Sequence, residues 1–579
     1  MPQEAKSTGG ARAWAALLCA VLAILWGSSV SMSHSLGYDE AMHAEAPALR
    51  LLAGVQQGEW GTVGAAFFGC EQYPFGYPLL LALVQACTGP SELACRVTGR
   101  VLFALTVFLI FLITERAARG AVDRGALDST RARFAPWIAL GFAALSPLAL
   151  AYSGTLFLEG PFLAAAAASV HLWLARREAL GPRAARLEIL TGLLLAVAFF
   201  TKFNYAVLLI GGLCLDFLAE GLGALRAKAL APWIASAGRL ALLPALSLLW
   251  WFVLPWPAGL ETAASHRETF VAFLLGNQTL VAPKTFPERA IDWLAGVFAN
   301  PRAFCLGCLG VLAALRRVGL PQVRTLGFLA LALVVPVALH PYHLDRFLLP
   351  GALVLWILAG LGLALCLPRA GGRALAVLAG LVVLCGVRRD LDTSWLPRWV
   401  VTPQGEEVAA YQRATMAEKI SLHPARVLPT AGLDRATSDA ALDLLHGLCD
   451  AAGSGDLHLC WLGPVAKLPP MAIQLGLVRR GGDPRRLLDD PARAMLLGVA
   501  PADPGWDDGA LAAAAAPFDV VLASDPVTAF GTGEWAFVQG HVERLLALGY
   551  RRDLAGPLVQ RLPMGKERSV HLLVLRKPR

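Results

Sequence analysis

Between Trp14 and Val387 the chain repeats one pattern, runs of roughly 15–20 apolar residues separated by short polar stretches, and a helix needs about 20 such residues to cross a hydrocarbon layer. A water-filled surrounding cannot take them. With 56% hydrophobic and 16% charged residues and a mean hydropathy of +0.57 over 579 residues, the apolar surface exceeds what a globular interior of this length buries. The expected fold class is an α-helical polytopic membrane protein of about eleven spans. The first run, Trp14 to about Val30, follows Lys6 and Arg12, and Ser31-Met32-Ser33-His34 is a poor small-residue cleavage site. It is expected to stay as an anchor.

Charge divides the chain. From Arg388 onward 22 basic residues balance 22 acidic ones, so the whole net charge of +8 lies before that point. An excess of this kind marks loops that resist translocation rather than a nucleic-acid surface, and no nucleic-acid partner is expected. With the N-terminus inside, residues 31–96 fall outside, and a span near Val97–Thr114 returns to Arg116, Arg119, Arg124, Arg131 and Arg133. Spans near Ala135–Tyr152 and Pro161–Leu174 lead to Arg176, Arg177, Arg183 and Arg186. A hairpin broken at Thr201-Lys202-Phe203-Asn204 leads to Arg226, Lys228 and Arg239. Later spans near Leu240–Trp256, Ile291–Leu315, Gly327–Leu339, Phe347–Cys366 and Ala374–Val387 keep Arg316, Arg317, Arg324, Arg369 and Arg373 inside. Arg267, Lys284 and Arg289, in the long loop after Trp256, go against the rule.

The chain is thus expected to form two domains: a transmembrane domain over residues 1–387, with the outer loop 31–96, and a soluble extracytoplasmic α/β domain over 388–579. In the outer loop Tyr77–Cys87 is too short to span. His43–Trp60 reads as an amphipathic helix on the outer leaflet, with Ala48, Leu51, Leu52 and Val55 on one face and Glu45, Arg50 and Gln56 on the other. Beyond Arg388, Asp456–Leu462, Phe518–Ala523 and Val570–Leu575 are strand-like and His541–Leu548 helical. No Gly-rich phosphate loop precedes them, so no cofactor is assigned there. Of the 11 cysteines most sit in apolar runs, Cys305 and Cys308 lack a companion pair for zinc, and Cys449 and Cys460 are placed for a disulfide on the outer side. Asn277-Gln278-Thr279 is a formal glycosylation acceptor.

The alternation carries Asp39, Glu40, Glu159, Lys202 and the turn from His340 to Arg346 to one face. Ionisable groups at membrane depth are expensive and mark function. Each also has a local reading. Asp39-Glu40 suits an acidic first helical turn. Glu159, before Gly160-Pro161, suits a helix N-terminus. Lys202 between Phe200 and Phe203 must snorkel or meet an anion. Arg346 can pair with Asp345 or grip a phosphate with two hydrogen bonds, and Tyr342 suits an interfacial aromatic belt.

Five motifs in order resemble the GT-C-type membrane glycosyltransferases, in particular the lipid A aminoarabinose transferases and protein O-mannosyltransferases. They are Tyr38-Asp39-Glu40; Tyr73-Pro74-Phe75-Gly76-Tyr77-Pro78; Leu145-Ser146-Pro147 through Glu159-Gly160-Pro161; Ala198-Phe199-Phe200-Thr201-Lys202; and His340-Pro341-Tyr342 with Arg346-Phe347-Leu348-Leu349-Pro350. The resemblance covers Trp14 to Leu367. It implies inverting transfer of a sugar from a polyprenyl-phosphate donor to a lipid, glycan or protein acceptor at the outer face. Asp39 would be the general base; Glu40 or Glu159 would orient it, bind sugar hydroxyls or complete a metal site, since some relatives use a divalent ion and others do not. Lys202, Arg346, Tyr342, His340 and Tyr73 would hold the donor. The chain departs from the aminoarabinose transferases in having Tyr73 and Glu71 where a lysine precedes their Pro-Pro segment, and Glu159 where relatives carry Asp more often. Richness in Ala, Arg, Gly and Leu fits a bacterial inner membrane. The alternatives are a transporter, which would need related halves with broken helices near the midplane, and a membrane scaffold with a binding domain.

Overall fold

A computed structural model describes residues 2–28, 36, 40–68, 73–228, 230–254, 260–275, 297–298, 301–317, 319–340 and 345–369. Toward the C-terminus it describes 371, 373, 377, 439, 442–443, 446–447, 459–461, 475–476, 507–516, 520–525, 536–561 and 567–576. Helix α1 (Pro2–Ser28) is followed by a π turn (Ala41–Glu45) continuous with α2 (Ala46–Gln57), then α3 (Trp60–Phe68) and α4 (Gly76–Thr88). The long α5 (Glu92–Asp123) precedes the short α6 (Ser129–Ala132), and α7 (Ala135–Ala144) and α8 (Pro147–Ser153) lead to α9 (Glu159–Arg176). Then come α10 (Gly181–Thr201), α11 (Phe203–Arg226), α12 (Leu230–Phe252), α13 (Leu260–Leu275), α14 (Pro301–Leu315), α15 (Pro321–Leu339) and α16 (Leu349–Cys366).

Seven described helices are each long and apolar enough to cross a membrane: Gly10–Ser28, Glu92–Asp123, Gly181–Thr201, Phe203–Arg226, Leu230–Phe252, Pro321–Leu339 and Arg346–Cys366. The protein is a multi-pass membrane protein. Among the other expected spans, Ala135–Tyr152 is broken rather than continuous. Pro147 cannot extend α7, and Ser146 begins a new helix by accepting the Ala149 N–H at 3.4 Å. Helix α9 is alanine-rich and closed by Glu159 and Arg176, so it is only moderately apolar, yet it is buried along most of its length. Before α14 only Val297 and Phe298 of the expected span are described. Most of Ala374–Val387 lies outside the described residues, as do Asn277 and the pairing of Cys449 with Cys460.

Helix α16 is apolar on every side and buried on every side, from Leu349 to Ala364. It packs on α5, α7, α9, α14 and α15 and forms the centre of the bundle. Its contact with α14 is so close that a Cβ on Gly362 would stand 1.7 Å from the Gly310 carbonyl oxygen. The outer sides of α1, α10, α11 and α12 expose Leu, Ile and Val, as a lipid-facing surface does.

At one end of the bundle the helix termini are tied by ion pairs. Asp216, fully buried on α11, accepts from Trp173 Nε1 at 2.9 Å, Thr325 Oγ1 at 2.8 Å and Arg324 Nε at 3.1 Å, and also pairs with Arg177. Glu220 pairs with Arg176 at 2.7 Å and with Arg177. The arginines that alternation assigns to this end are therefore built into helix–helix joints, and not all of them are solvated loop charges.

At the other end the acidic motif opens the helical run 40–57. The sequence pattern places Glu45 on a polar face and Val55 on an apolar one; instead Glu45 is buried and Val55 is 52% exposed. The π turn shifts the phase between Glu45 and α2, while Ala48 and Leu51 of the expected apolar face are buried together with Ala46, Leu49, Ala53 and Gly54. The run ends at Gly58, in the left-handed region at φ 72°.

The described C-terminal elements are β1 (Leu459–Trp461), α17 (Asp508–Ala515), β2 (Val520–Asp525), α18 (Ala536–Ala547), β3 (Arg551–Arg561) and β4 (Glu567–Arg576). The sheet order is β1-β2-β4-β3, with β1 and β2 parallel and the other pairs antiparallel. β3, absent from the sequence expectation, carries Pro557 at a register shift on the edge of this sheet, where a missing N–H is tolerated. Pro557 hides the strand from a pattern-based reading.

Candidate active site

Glu40 follows Asp39 directly, and it is fully buried. Its backbone is helical and its side chain makes no cap. Instead Oε1 accepts the Leu156 N–H at 2.9 Å and lies 3.6 Å from the Arg96 guanidinium. Arg96, also fully buried, donates to Glu92 Oε1 at 2.9 Å and to the Gly154 carbonyl at 3.2 Å. One turn along α5, Arg100 donates to the Leu150 carbonyl at 2.8 Å and to Ser153 Oγ at 3.0 Å. The two arginines fasten the end of α8 to α5, and Glu40 fastens the acidic motif to the segment that leads into Glu159. Both charges sit inside an apolar helix, which is the signal that marks them in the sequence. Asp39 itself lies outside the described residues.

Glu159 begins α9 and is 1% exposed. Its Oε1 pairs with Lys202 and lies 3.6 Å from Arg346 Nε, while Oε2 has no hydrogen-bond partner among the described residues. Lys202 is the single extended residue between α10 and α11, at φ −154° and ψ 90°, and its N–H still reaches the Ala198 carbonyl at 2.9 Å. At 2% exposure it does not snorkel. Its Nζ lies 5.3 Å from the Tyr73 ring centre and 4.7 Å from that of Tyr205, within cation–π range.

Tyr73 reaches Lys202 because of Gly76. A Cβ on Gly76 would stand 2.6 Å from the Phe200 carbonyl oxygen, so only glycine lets the start of α4 abut the end of α10. Tyr73 also meets His43 edge-on, ring centres 4.8 Å apart. Arg346, in a 3-10 turn (Asp345–Leu348) before α16, lies 4.8 Å from the Phe157 ring centre and 5.8 Å from that of Phe347. His340, 9% exposed, faces Phe347 edge-on at 6.5 Å. Tyr342 and the Asp345 side chain lie outside the described residues.

The structure thus brings Tyr73, Glu159, Lys202, Arg346 and His340 together and gives Glu40 a strap role. It adds Phe157, Tyr205, Phe347 and His43, which the sequence reading did not single out. Tyr205 lies in the first turn of α11, which Lys202 precedes; Phe157 and Phe347 flank named residues but carry no signal of their own. Among the described residues no three His, Cys, Asp or Glu side chains are gathered, and two cations already attend Glu159.

No protein-family model and no curated sequence matches the chain. Solved structures do. ArnT from Cupriavidus metallidurans, in the apo state, superposes at a TM-score of 0.55 with 15% identity, covering 99% of this chain and 100% of that one. The same protein bound to undecaprenyl phosphate gives 0.56 and 14%, covering 98% and 99%. The oligosaccharyltransferase of Archaeoglobus fulgidus in the apo form gives 0.54 and 12%, covering 97% of this chain and 74% of that one. Likenesses at such identities carry the fold alone, and the fold is GT-C.

Proposed function

We propose that this protein moves a sugar from a polyprenyl-phosphate donor to a lipid, glycan or protein acceptor at the outer face of the membrane. One observation carries the reading: Lys202 and Arg346, from distant parts of the chain, converge on one buried carboxylate beside aromatic walls, at the end of the bundle where the acidic motif also lies. Buried cations persist where an anion belongs. The ArnT structure with undecaprenyl phosphate, alike over nearly the whole chain, supports a lipid phosphate as that anion.

The chemistry then follows from charge. The acceptor oxygen attacks the anomeric carbon, its proton passes to Asp39, and the bond from that carbon to the phosphate oxygen breaks. A phosphodiester with one negative charge leaves as a monoester with two. Lys202 and Arg346 stabilise the extra charge as it develops, which is where electrostatic catalysis acts. Glu159 holds the two cations together, and Tyr73 and His340 line the donor's side, to which the resemblance also assigns Tyr342. The prenyl chain lies in the hydrocarbon, where the transmembrane domain needs no soluble carrier.

Incubation of the purified protein with radiolabelled polyprenyl-phosphate sugars tests this reading. Label is expected to move to a lipid, glycan or protein acceptor for at least one donor. Consumption of none, with active control transferases beside it, would turn the assignment to a transporter.

A further inference from the structure

At the end of the bundle opposite the site, a second group of cations has no part in the proposed reaction. Arg12 on α1 lies 2.8 Å from Glu115 Oε2, and Arg119 on α5 lies 3.3 Å from the same oxygen. Arg116, also on α5, pairs with Glu178 just beyond α9, and His171 of α9 lies within electrostatic reach of all three arginines. Three guanidiniums from two helices therefore meet two carboxylates, an excess of one positive charge. The buried Nε atoms of Arg116 and Arg119 and Nδ1 of His171 have no hydrogen-bond partner among the described residues. Unmet polar atoms of this kind are costly.

The depth is that of a head group. Glu115 comes 23 residues after Glu92 on one continuous helix, about 35 Å at 1.5 Å per residue, which is more than the roughly 30 Å hydrocarbon layer. The neighbouring face of α1 is apolar and open, with Trp14 67%, Leu17 53% and Ile24 70% exposed. A tryptophan two residues from Arg12 suits the interface, and the leucines and isoleucine beyond it suit acyl chains.

We propose that this cluster binds the phosphodiester of an anionic phospholipid in the leaflet at that end. Arg116, Arg119 and His171 supply donors to the phosphate, Arg12 supplies charge, and the acyl chains run along α1. A small soluble anion would use the donors and leave the apolar face without a role, so the lipid is the better match. Basic pockets between membrane helices recognise lipid head groups on the same terms.

The test uses the full-length protein in mild detergent, titrated with radiolabelled phosphatidylglycerol and, in parallel, phosphatidylcholine. Phosphatidylglycerol is expected to bind more tightly. Its affinity should fall at least about tenfold in Arg116→Gln/Arg119→Gln and rise in Glu178→Gln, which releases Arg116 while removing no donor. Should the double variant fail to fold, Glu178→Gln decides alone. Equal binding of the two lipids, unchanged affinity in the variants, or displacement by millimolar inorganic phosphate would overturn the proposal. None of these outcomes depends on sugar transfer.

Discussion

Glu159 Oε1 pairs with Lys202 and lies 3.6 Å from Arg346 Nε, while the proposed base is Asp39, so substitutions at these positions act on different quantities. Under the proposed reaction, Asp39→Asn keeps the shape and loses the proton acceptor. Transfer should fall by at least about 100-fold with donor binding largely intact. Arg346→Ala removes a charge-assisted contact worth roughly 1.5–3 kcal/mol, or about 10- to 150-fold in donor affinity. Separate measurement of donor binding and single-turnover transfer distinguishes the two. Near-normal turnover in Asp39→Asn, with loss in Glu159→Gln, would exchange the carboxylate roles. Arg96 belongs to a different class, since its fully buried guanidinium serves Glu40, Glu92 and the Gly154 carbonyl at once. Arg96→Met leaves two buried carboxylates without it, and thermal unfolding in detergent should report a loss of about 3–5 kcal/mol. A loss under about 1 kcal/mol would show the strap to be dispensable. Lys202 was legible in the sequence because a charge inside an apolar run needs a reason, whereas the partner of Glu40 was not, because Leu156 lies 116 positions away and no local pattern encodes that distance.

Among the elements, those with a strong period or a hard breaker were readable in advance. The apolar hairpin broken at Lys202 is present as α10 and α11, and the 13-residue α4 is too short to span, as its length of about 20 Å requires. The failures share a cause: they depend on backbone events with no composition signal. The π turn changes the phase between Glu45 and α2, and Ser146-Pro147 splits an apolar run that hydropathy alone reads as continuous. Gly76 offers a test at this scale. Gly76→Ala forces α4 away from the Phe200 carbonyl and carries Tyr73 from Lys202, so donor KM should rise several-fold and thermal stability fall by about 1–3 kcal/mol, as overpacking does. Gly141→Ala is the control, because a Cβ there meets nothing within 4 Å and the helix should gain up to about 1 kcal/mol. Equal effects of the two substitutions would remove the argument for close approach at Gly76.

For the whole molecule, the alternation of helices sends Glu40, Glu159, Lys202 and Arg346 to one end and the Asp216 and Arg116 clusters to the other. The bundle itself has no outside or inside; the basic bias supplies it, because arginine-rich connections resist translocation. On that bias the end with the proposed site is expected outside, although Arg267 lies there against the rule. Arg267 donates to the Phe252 carbonyl at the end of α12, and His266 stacks on Trp251 at 3.7 Å, so this arginine serves as a helix terminator and carries little weight as a topology signal. Single cysteines in a cysteine-free background test the orientation in intact cells with an impermeant thiol reagent. Glu59→Cys and Ser265→Cys are exposed at the site end, and Asp508→Cys is exposed in the C-terminal α/β domain, its native side chain being 68% accessible. All three should label. Arg133→Cys and Gly319→Cys, exposed at the opposite end, should label only after permeabilisation. Labelling at 133 or 319 in intact cells would invert the map and put sugar transfer on the cytoplasmic side, while protection of 508 alone would leave the site outside and detach the C-terminal domain from it.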